Sequence, residues 1–292
     1  MPHDILNRYA PMALTATDEA VRLGACLQLG FIPADATCIA QAWQAQAART
    51  GNTTDWPDNP EDFGLRPWPR DDAFPPCPQQ LGLYAVLPDA AWVGRMARAG
   101  VPTVQLRFKS DDPEAIQREV ATAVVAVQGT PALLFINDHW QAAVQAGAYG
   151  VHLGQEDLDL LQPTDLDAIR SAGLRLGVST HGYAEMLRAD RVSPSYIARG
   201  AVFPTTLKRM ATAPQGTARL AAYARLLRNY PLVAIGGIDT ERMPQVLASG
   251  VGSIGVVRAI TDAPNPELAA TNLGATIQNF LATTQKPCNR TL

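Results

Sequence analysis

Gly150-Val151-His152-Leu153-Gly154-Gln155-Glu156-Asp157-Leu158 reads as a short apolar strand that runs into a glycine and then into acids. Just upstream, Leu133-Leu134-Phe135-Ile136 stops as abruptly, in Asn137-Asp138. Unbroken apolar runs of this length suit parallel strands covered on both faces. Each of the two delivers a carboxylate at its C-terminal end, which in parallel α/β proteins is where ligands bind. Carboxylates there can hold Mg²⁺, and Mg²⁺ is the usual partner of phosphates.

Outward from this pair the same unit recurs. Further strand candidates lie at 83–87, 103–108, 174–179, 196–200, 232–235 and 253–257. Amphipathic stretches separate them, at 89–99, 112–127, 138–146, 185–191, 217–229 and 242–249, and 264–283 supplies a last helix. Several stretches close on a glycine, as at Gly100, Gly147, Gly173 and Gly250, the residue that most readily ends a helix. Eight strands alternating with helices within about 200 residues predict an α/β fold, a (β/α)8 TIM barrel over 81–285. A doubly wound sheet is the alternative, because periodicity does not show closure.

Residues 1–50 read as a short helical extension. Thr17 can cap a first helix that ends at Gly30, and a second follows Pro33 with Ala36, Ile39, Ala40, Trp43 and Ala47 on one face. Two helices make a poor core, so they must pack on the barrel or on another copy of the chain. Residues 51–80 form a Pro-rich linker whose Trp56, Phe63, Trp68 and Phe74 are too many aromatics for a purely solvated segment. A tail occupies 286–292.

Composition narrows the function. At 47% hydrophobic and 17% charged residues the chain is globular rather than disordered. A net charge of −3 gives no basic footprint for nucleic acid, and no apolar run is long enough to span a membrane. Met1-Pro2-His3-Asp4 lacks the basic start of a signal peptide. The four cysteines, Cys26, Cys38, Cys77 and Cys288, form no C-x-x-C pair, which argues against structural zinc. The expectation is a reduced, cytoplasmic protein. Assembly into a homo-oligomer stays open.

In a barrel, catalytic groups belong on the loops after the strands. Gln105, Arg107 and Lys109 alternate at the end of the second strand, so they share a side, and two cations there suit an anion. Asn137 and Asp138 follow the third strand and Asp157 the fourth; Asp138 also reads as a helix N-cap, and Asp157 as a loop residue. His152, inside the fourth strand, reads as a packed, hydrogen-bonded core residue. Ser179 ends the fifth strand, with His181 two residues on. The sixth leads into Phe203-Pro204-Thr205-Thr206-Leu207-Lys208-Arg209, which suits a lid or anion clasp. The seventh ends in Gly236-Gly237, where backbone N–H groups can approach a phosphate.

Together these residues resemble thiamine-phosphate synthase over about 81–260. The likeness rests on Gln105 to Lys109, Ile136-Asn137-Asp138, Val151 to Leu158, Gly177-Val178-Ser179, Phe203-Pro204-Thr205 with Lys208, and Ile235-Gly236-Gly237-Ile238. The resemblance implies a transferase of thiamine biosynthesis. A hydroxymethylpyrimidine diphosphate loses pyrophosphate, and the ring nitrogen of a hydroxyethylthiazole phosphate attacks the exocyclic carbon. It implies Mg²⁺ on Asp138 and Asp157. It places Arg107, Lys109, Asn137, Ser179 and Lys208 on the pyrimidine diphosphate, with Gln105 beside them. It places Thr205, Thr206, Gly236-Gly237 and the end of the eighth strand, here Val257-Arg258, on the thiazole phosphate. Two positions depart from the family pattern. Leu207 stands where the family carries a second threonine, and Arg258 where it carries a serine on that phosphate. Residues Leu27 to Phe31 with Asp35-Ala36 faintly resemble the end of a hydroxymethylpyrimidine-phosphate kinase.

Two other functions fit such a chain. One is a thiazole tautomerase on the same barrel, using His181 or a similar histidine for proton transfer, although an isomerase needs no pyrophosphate clamp. The other is an inactive barrel serving as an interaction module through residues 1–80. Every motif residue lies after Leu81, so a chain starting near Pro78 is expected to keep the chemistry.

Overall fold

A computed structural model describes residues 19–205 and 213–284, with side chains from residue 21. Two helices lead, α1 (Glu19–Gln28) and α2 (Pro33–Thr50). The repeating part follows in the order β1 (Gly82–Leu87), α3 (Ala90–Arg98), β2 (Thr103–Leu106), α4 (Pro113–Ala126), β3 (Leu133–Asn137) and α5 (Trp140–Ala146). Next come β4 (Gly150–Leu153), α6 (Gln155–Leu160), α7 (Pro163–Ser171), β5 (Arg175–Thr180), α8 (Tyr183–Arg191) and β6 (Tyr196–Arg199). The order ends with α9 (Gly216–Leu226), β7 (Leu232–Ala234), α10 (Met243–Leu247), β8 (Ser253–Val256), α11 (Arg258–Thr261) and α12 (Pro266–Thr284).

The eight strands are parallel, each beside its neighbours in sequence, and β1 pairs with β8 to close a barrel. Closure removes the doubly wound alternative. Side-chain direction alternates along each strand. Leu83, Val104, Leu134, Val151, Leu176, Ile197 and Ile254 point outward into the core beneath the helices. Tyr84, Phe135, Tyr196 and Val233 point inward and fill the barrel. Glycine makes room for these rings: a Cβ on Gly150 would meet the Phe135 ring at 2.5 Å, and one on Gly177 the Tyr196 ring at 2.1 Å.

The elements differ from the sequence reading mainly at their ends. β2 stops at Leu106, so Arg107 to Lys109 already belong to the loop. The region after β4, read as loop, holds α6 and α7, and Pro163 starts the second of them as a first-turn proline. The predicted helix over 138–146 begins at Trp140. Thr17, Thr206, Leu207, Lys208, Cys288 and the 286–292 tail lie outside the described residues.

The leading helices share the barrel's core. Cys26, Phe31, Ala36 and Ile39 are buried in one cluster with the strands and outer helices. Phe63 from the Pro-rich stretch stacks on Tyr183 of α8 at 5.2 Å. Arg70 donates to Asp190 Oδ1 at 2.6 Å and to the Tyr230 hydroxyl at 2.6 Å, all three against the barrel. The same stretch continues along the wall, where Ser195 Oγ donates to the Pro75 carbonyl at 2.6 Å.

Candidate active site

A cavity of about 850 Å³ opens at the C-terminal end of the strands. Every sequence-predicted site residue within the described part lines it: Gln105, Arg107, Lys109, Asn137, Asp138, Asp157, Ser179, Thr205, Gly236, Gly237, Val257 and Arg258. Thr206 and Lys208 fall outside the description.

On one wall, Gln105 Nε2 donates to Asn137 Oδ1 at 2.7 Å, so the neighbouring inward positions of β2 and β3 hold each other. Lys109 Nζ donates to Asp138 Oδ2 at 2.6 Å. Arg107 is half-buried with its guanidinium at the cavity and has no side-chain partner among the described residues. Asp138 is no helix cap. Its φ of +63° is left-handed, a conformation that costs a non-glycine residue on the order of 1 kcal/mol and that Asp and Asn tolerate best. The strand register forces it, since Asp138 N–H donates to the His152 carbonyl at 3.0 Å while its side chain turns to Lys109.

Asp157 sits in the first turn of α6 and accepts from Gly154 N–H at 2.7 Å. It therefore closes the helix start as well as lining the cavity. Its carboxyl and that of Asp138 line the same cavity and act on each other electrostatically. Burial, reinforced by the Asp138 charge, raises the Asp157 pKa. Burial would raise Asp138 too, but the Lys109 ammonium outweighs it and holds that carboxyl below its usual range. Two carboxylates lining one cavity, the charge of one making the other reluctant to ionise, make a site that a cation would relieve. The donors are all oxygens, as Mg²⁺ prefers. Among the described residues no three His, Cys, Asp or Glu side chains gather as a metal site. Mg²⁺ would thus take its remaining oxygens from a diphosphate and water, its common arrangement.

The floor carries a chain of hydrogen bonds. Tyr84 and Tyr196 hydroxyls are 2.7 Å apart, Tyr196 reaches His152 Nδ1 at 2.6 Å, and His152 Nε2 lies 2.8 Å from Ser179 Oγ. Burial lowers the His152 pKa to about 4, with the Asp138 charge opposing, so the imidazole is neutral at ordinary pH. His152 is buried as expected, yet it also lines the cavity. Its parity was the available signal: it shares the inward face of β4 with Gly150. Tyr84 and Tyr196 were missed for the same reason, as aromatic residues inside apolar strands that look alike on both faces.

Across the cavity, Gly236 and Gly237 both have positive φ, +95° and +65°. Glycine is required there, since a Cβ would stand 2.5 Å from Ala201 Cβ and 2.6 Å from the Pro204 carbonyl respectively. Arg242, not foreseen, braces the turn by donating to the Gly237 carbonyl at 2.7 Å. Arg258 starts α11 directly after β8, is exposed at the cavity mouth, and pairs with no acid among the described residues.

A closed parallel barrel with cations, paired carboxylates and a glycine turn at its C-terminal mouth defines an enzyme built to handle phosphate esters. A family model described as thiamine monophosphate synthase matches residues 83–260. The chain belongs to the thiamine monophosphate synthase family. It is 56% identical over 194 residues to the thiamine-phosphate synthase of Neisseria meningitidis serogroup B, covering 66% of this chain and 93% of that one. It is 55% identical over 192 residues to the thiamine-phosphate synthase of Cronobacter sakazakii, covering 66% of this chain and 90% of that one. Among solved structures, the thiamine phosphate pyrophosphorylase of Pyrococcus furiosus matches with a TM-score of 0.60 and 27% identity, over 69% of this chain and 97% of that one. These likenesses give no support to a tautomerase or to an inactive interaction module.

Proposed function

We propose that the protein joins hydroxymethylpyrimidine diphosphate to hydroxyethylthiazole phosphate, releasing pyrophosphate and thiamine phosphate. The observation that carries this reading is the division of one cavity into two anion-binding walls, Arg107, Lys109 and the carboxylate pair on one and Gly236-Gly237 with Arg258 on the other. Two phosphorylated substrates need two such walls. The homologous synthases support the same reaction.

The chemistry is an alkyl transfer. The bond from the exocyclic methylene to the diphosphate oxygen breaks, and its electron pair leaves with pyrophosphate. The thiazole ring nitrogen then supplies the pair for the new C–N bond. That nitrogen carries no proton, so no strong general base is needed, which agrees with a His152 whose two ring nitrogens are already engaged by Tyr196 and Ser179. Arg107 and Lys109 take up charge developing on the leaving group, a contribution of about 3–4 kcal/mol per well-placed donor. Asn137, held by Gln105, and Ser179 position the diphosphate. Asp138 and Asp157 would hold Mg²⁺, with Lys109 moving from Asp138 to the diphosphate. Bound there, Mg²⁺ supplies Lewis-acid stabilisation of the departing oxygens. Thr205, Thr206, the Gly236-Gly237 turn, Val257 and Arg258 receive the thiazole phosphate, and Lys208 joins Arg107 and Lys109 on the pyrimidine diphosphate.

No described helix is long and apolar enough to cross a membrane, and small-molecule substrates fit a cytoplasmic transferase. The likeness of Leu27 to Ala36 to the end of a pyrimidine-phosphate kinase supports an origin of the extension in a fused enzyme. The test is direct. Mixing both substrates with Mg²⁺ should release pyrophosphate and thiamine phosphate in equal amounts, and chelation of Mg²⁺ should stop both. Pyrophosphate release without thiamine phosphate, or no turnover of either substrate, would overturn the assignment.

A further inference from the structure

The family match begins at residue 83, yet one carboxylate from before it stands behind the site. Helix α8, which follows the Ser179-bearing strand, has glycine at its N-cap and no side-chain cap of its own. Asp35, in the first turn of α2, supplies one from 149 positions away: its Oδ1 accepts from Ala184 N–H at 2.9 Å. Gly182 is shaped to admit it, since a Cβ there would lie 2.1 Å from Asp35 Oδ2. Asp35 is 3% exposed, so this carboxyl has left water to make the contact.

A second buried charge holds the same turn. Arg199, at the end of β6, is 1% exposed and lies over the Tyr223 ring. Its Nη1 donates to Thr180 Oγ1 at 2.6 Å and to the Gly182 carbonyl at 3.1 Å. Among the described residues no carboxylate forms an ion pair with it, and Asp35 and Glu185 are the acids whose charge favours its ionised form from farther off. Glu185 in turn accepts from His181 N–H at 2.7 Å and sits 2.7 Å from His181 Nδ1. Ser179 and His181 line the cavity, and Thr180 and Gly182 are the residues that Arg199 grips. A half-satisfied buried network is unstable, because an unpaired charge in a low-dielectric interior is costly.

We propose that Asp35 is a positioning residue for the reaction: the N-terminal helices supply the cap and countercharge that hold the turn between β5 and α8, and with it Ser179, against the diphosphate. This rests on the proposed reaction and reverses the expectation that a chain starting near Pro78 keeps the full chemistry. Arg70 provides the control. It also ties the leading segment to the barrel through a buried pair, with Asp190, but at the far end of α8 from the cavity.

The full chain and its Asp35→Ala, Asp35→Asn and Arg70→Ala variants are compared by amide hydrogen exchange and by the KM for each substrate. Asp35→Ala should speed exchange at residues 180–186 at least tenfold and raise the KM for the pyrimidine diphosphate about tenfold. The KM for the thiazole phosphate should stay within twofold. Asp35→Asn keeps an acceptor for Ala184 N–H but loses the charge, and should fall between; it decides the matter if the alanine variant does not fold. Arg70→Ala should lower the melting temperature while leaving both KM values and the 180–186 exchange unchanged. Wild-type exchange at 180–186 in both Asp35 variants, or an equal rise in both KM values, would overturn the proposal. A wild-type chain that makes no thiamine phosphate would refute the reaction instead, and the exchange comparison would still decide whether Asp35 holds the turn.

Discussion

Lowering the pH should destabilise the fold through His152, and the size of the effect can be worked out. Both ring nitrogens are engaged, by Tyr196 and by Ser179, and the ring is buried at the bottom of the cavity. Burial is the main reason that the folded chain holds this imidazole at about 4, against about 6.5 in an unfolded chain. Above 6.5 the ring is neutral in both states and pH has no leverage through it. Between 6.5 and 4 the unfolded chain binds a proton that the folded chain refuses, so stability falls as pH falls. At 1.36 kcal/mol per pH unit the whole window is worth about 3 kcal/mol. The assay is urea unfolding followed by circular dichroism at intervals from pH 7.5 to 4.5, on the wild type and on His152→Asn. The variant should be less stable at neutral pH, because it leaves the Tyr196 hydroxyl or Ser179 short of a partner. The other titrating groups act alike in both proteins, so the wild type should lose about 2–3 kcal/mol more than the variant across the range. Parallel stability curves would refute the buried, neutral imidazole and the orientation of Ser179 that depends on it.

Three further outcomes follow from the site. Asp157→Asn keeps an acceptor for Gly154 N–H but removes the charge, so turnover should fall by about 10²-fold or more at limiting Mg²⁺ with an unchanged melting temperature; Asp157→Ala should in addition lose about 1 kcal/mol of stability, measured by denaturant unfolding, with the helix closure. Near-normal turnover in either would remove the metal assignment. Arg258→Ala should weaken thiazole phosphate binding by about 1.5–3 kcal/mol, read by calorimetry, and leave the pyrimidine diphosphate almost untouched, because Arg107 and Lys109 belong to the other wall. Gly236→Ala should damage both folding and thiazole phosphate binding, seen as a lower melting temperature and a raised KM for that substrate, since its backbone has φ +95° and Ala201 leaves no space for a methyl group.

The sequence by itself determined the eight strands, their order and the polar residues at their ends. Those features are local: a strand's apolar run, the glycine that ends a helix and the acid that follows Ile136 or Gly154 are all set within a few residues. Closure of the barrel, the role of His152 and the work of Asp157 were decided only by the tertiary structure. In a parallel strand covered on both faces, Val151 and His152 differ in direction but not in their apolar surroundings, so only the packed barrel shows that His152 points at Ser179. Asp157 looked like a loop residue because the helix it closes has six residues, too few to announce itself by period. Asp35 was invisible for the strongest reason. It caps a helix 149 positions along the chain, and no local pattern records which distant backbone N–H a buried carboxylate will meet once the core has formed.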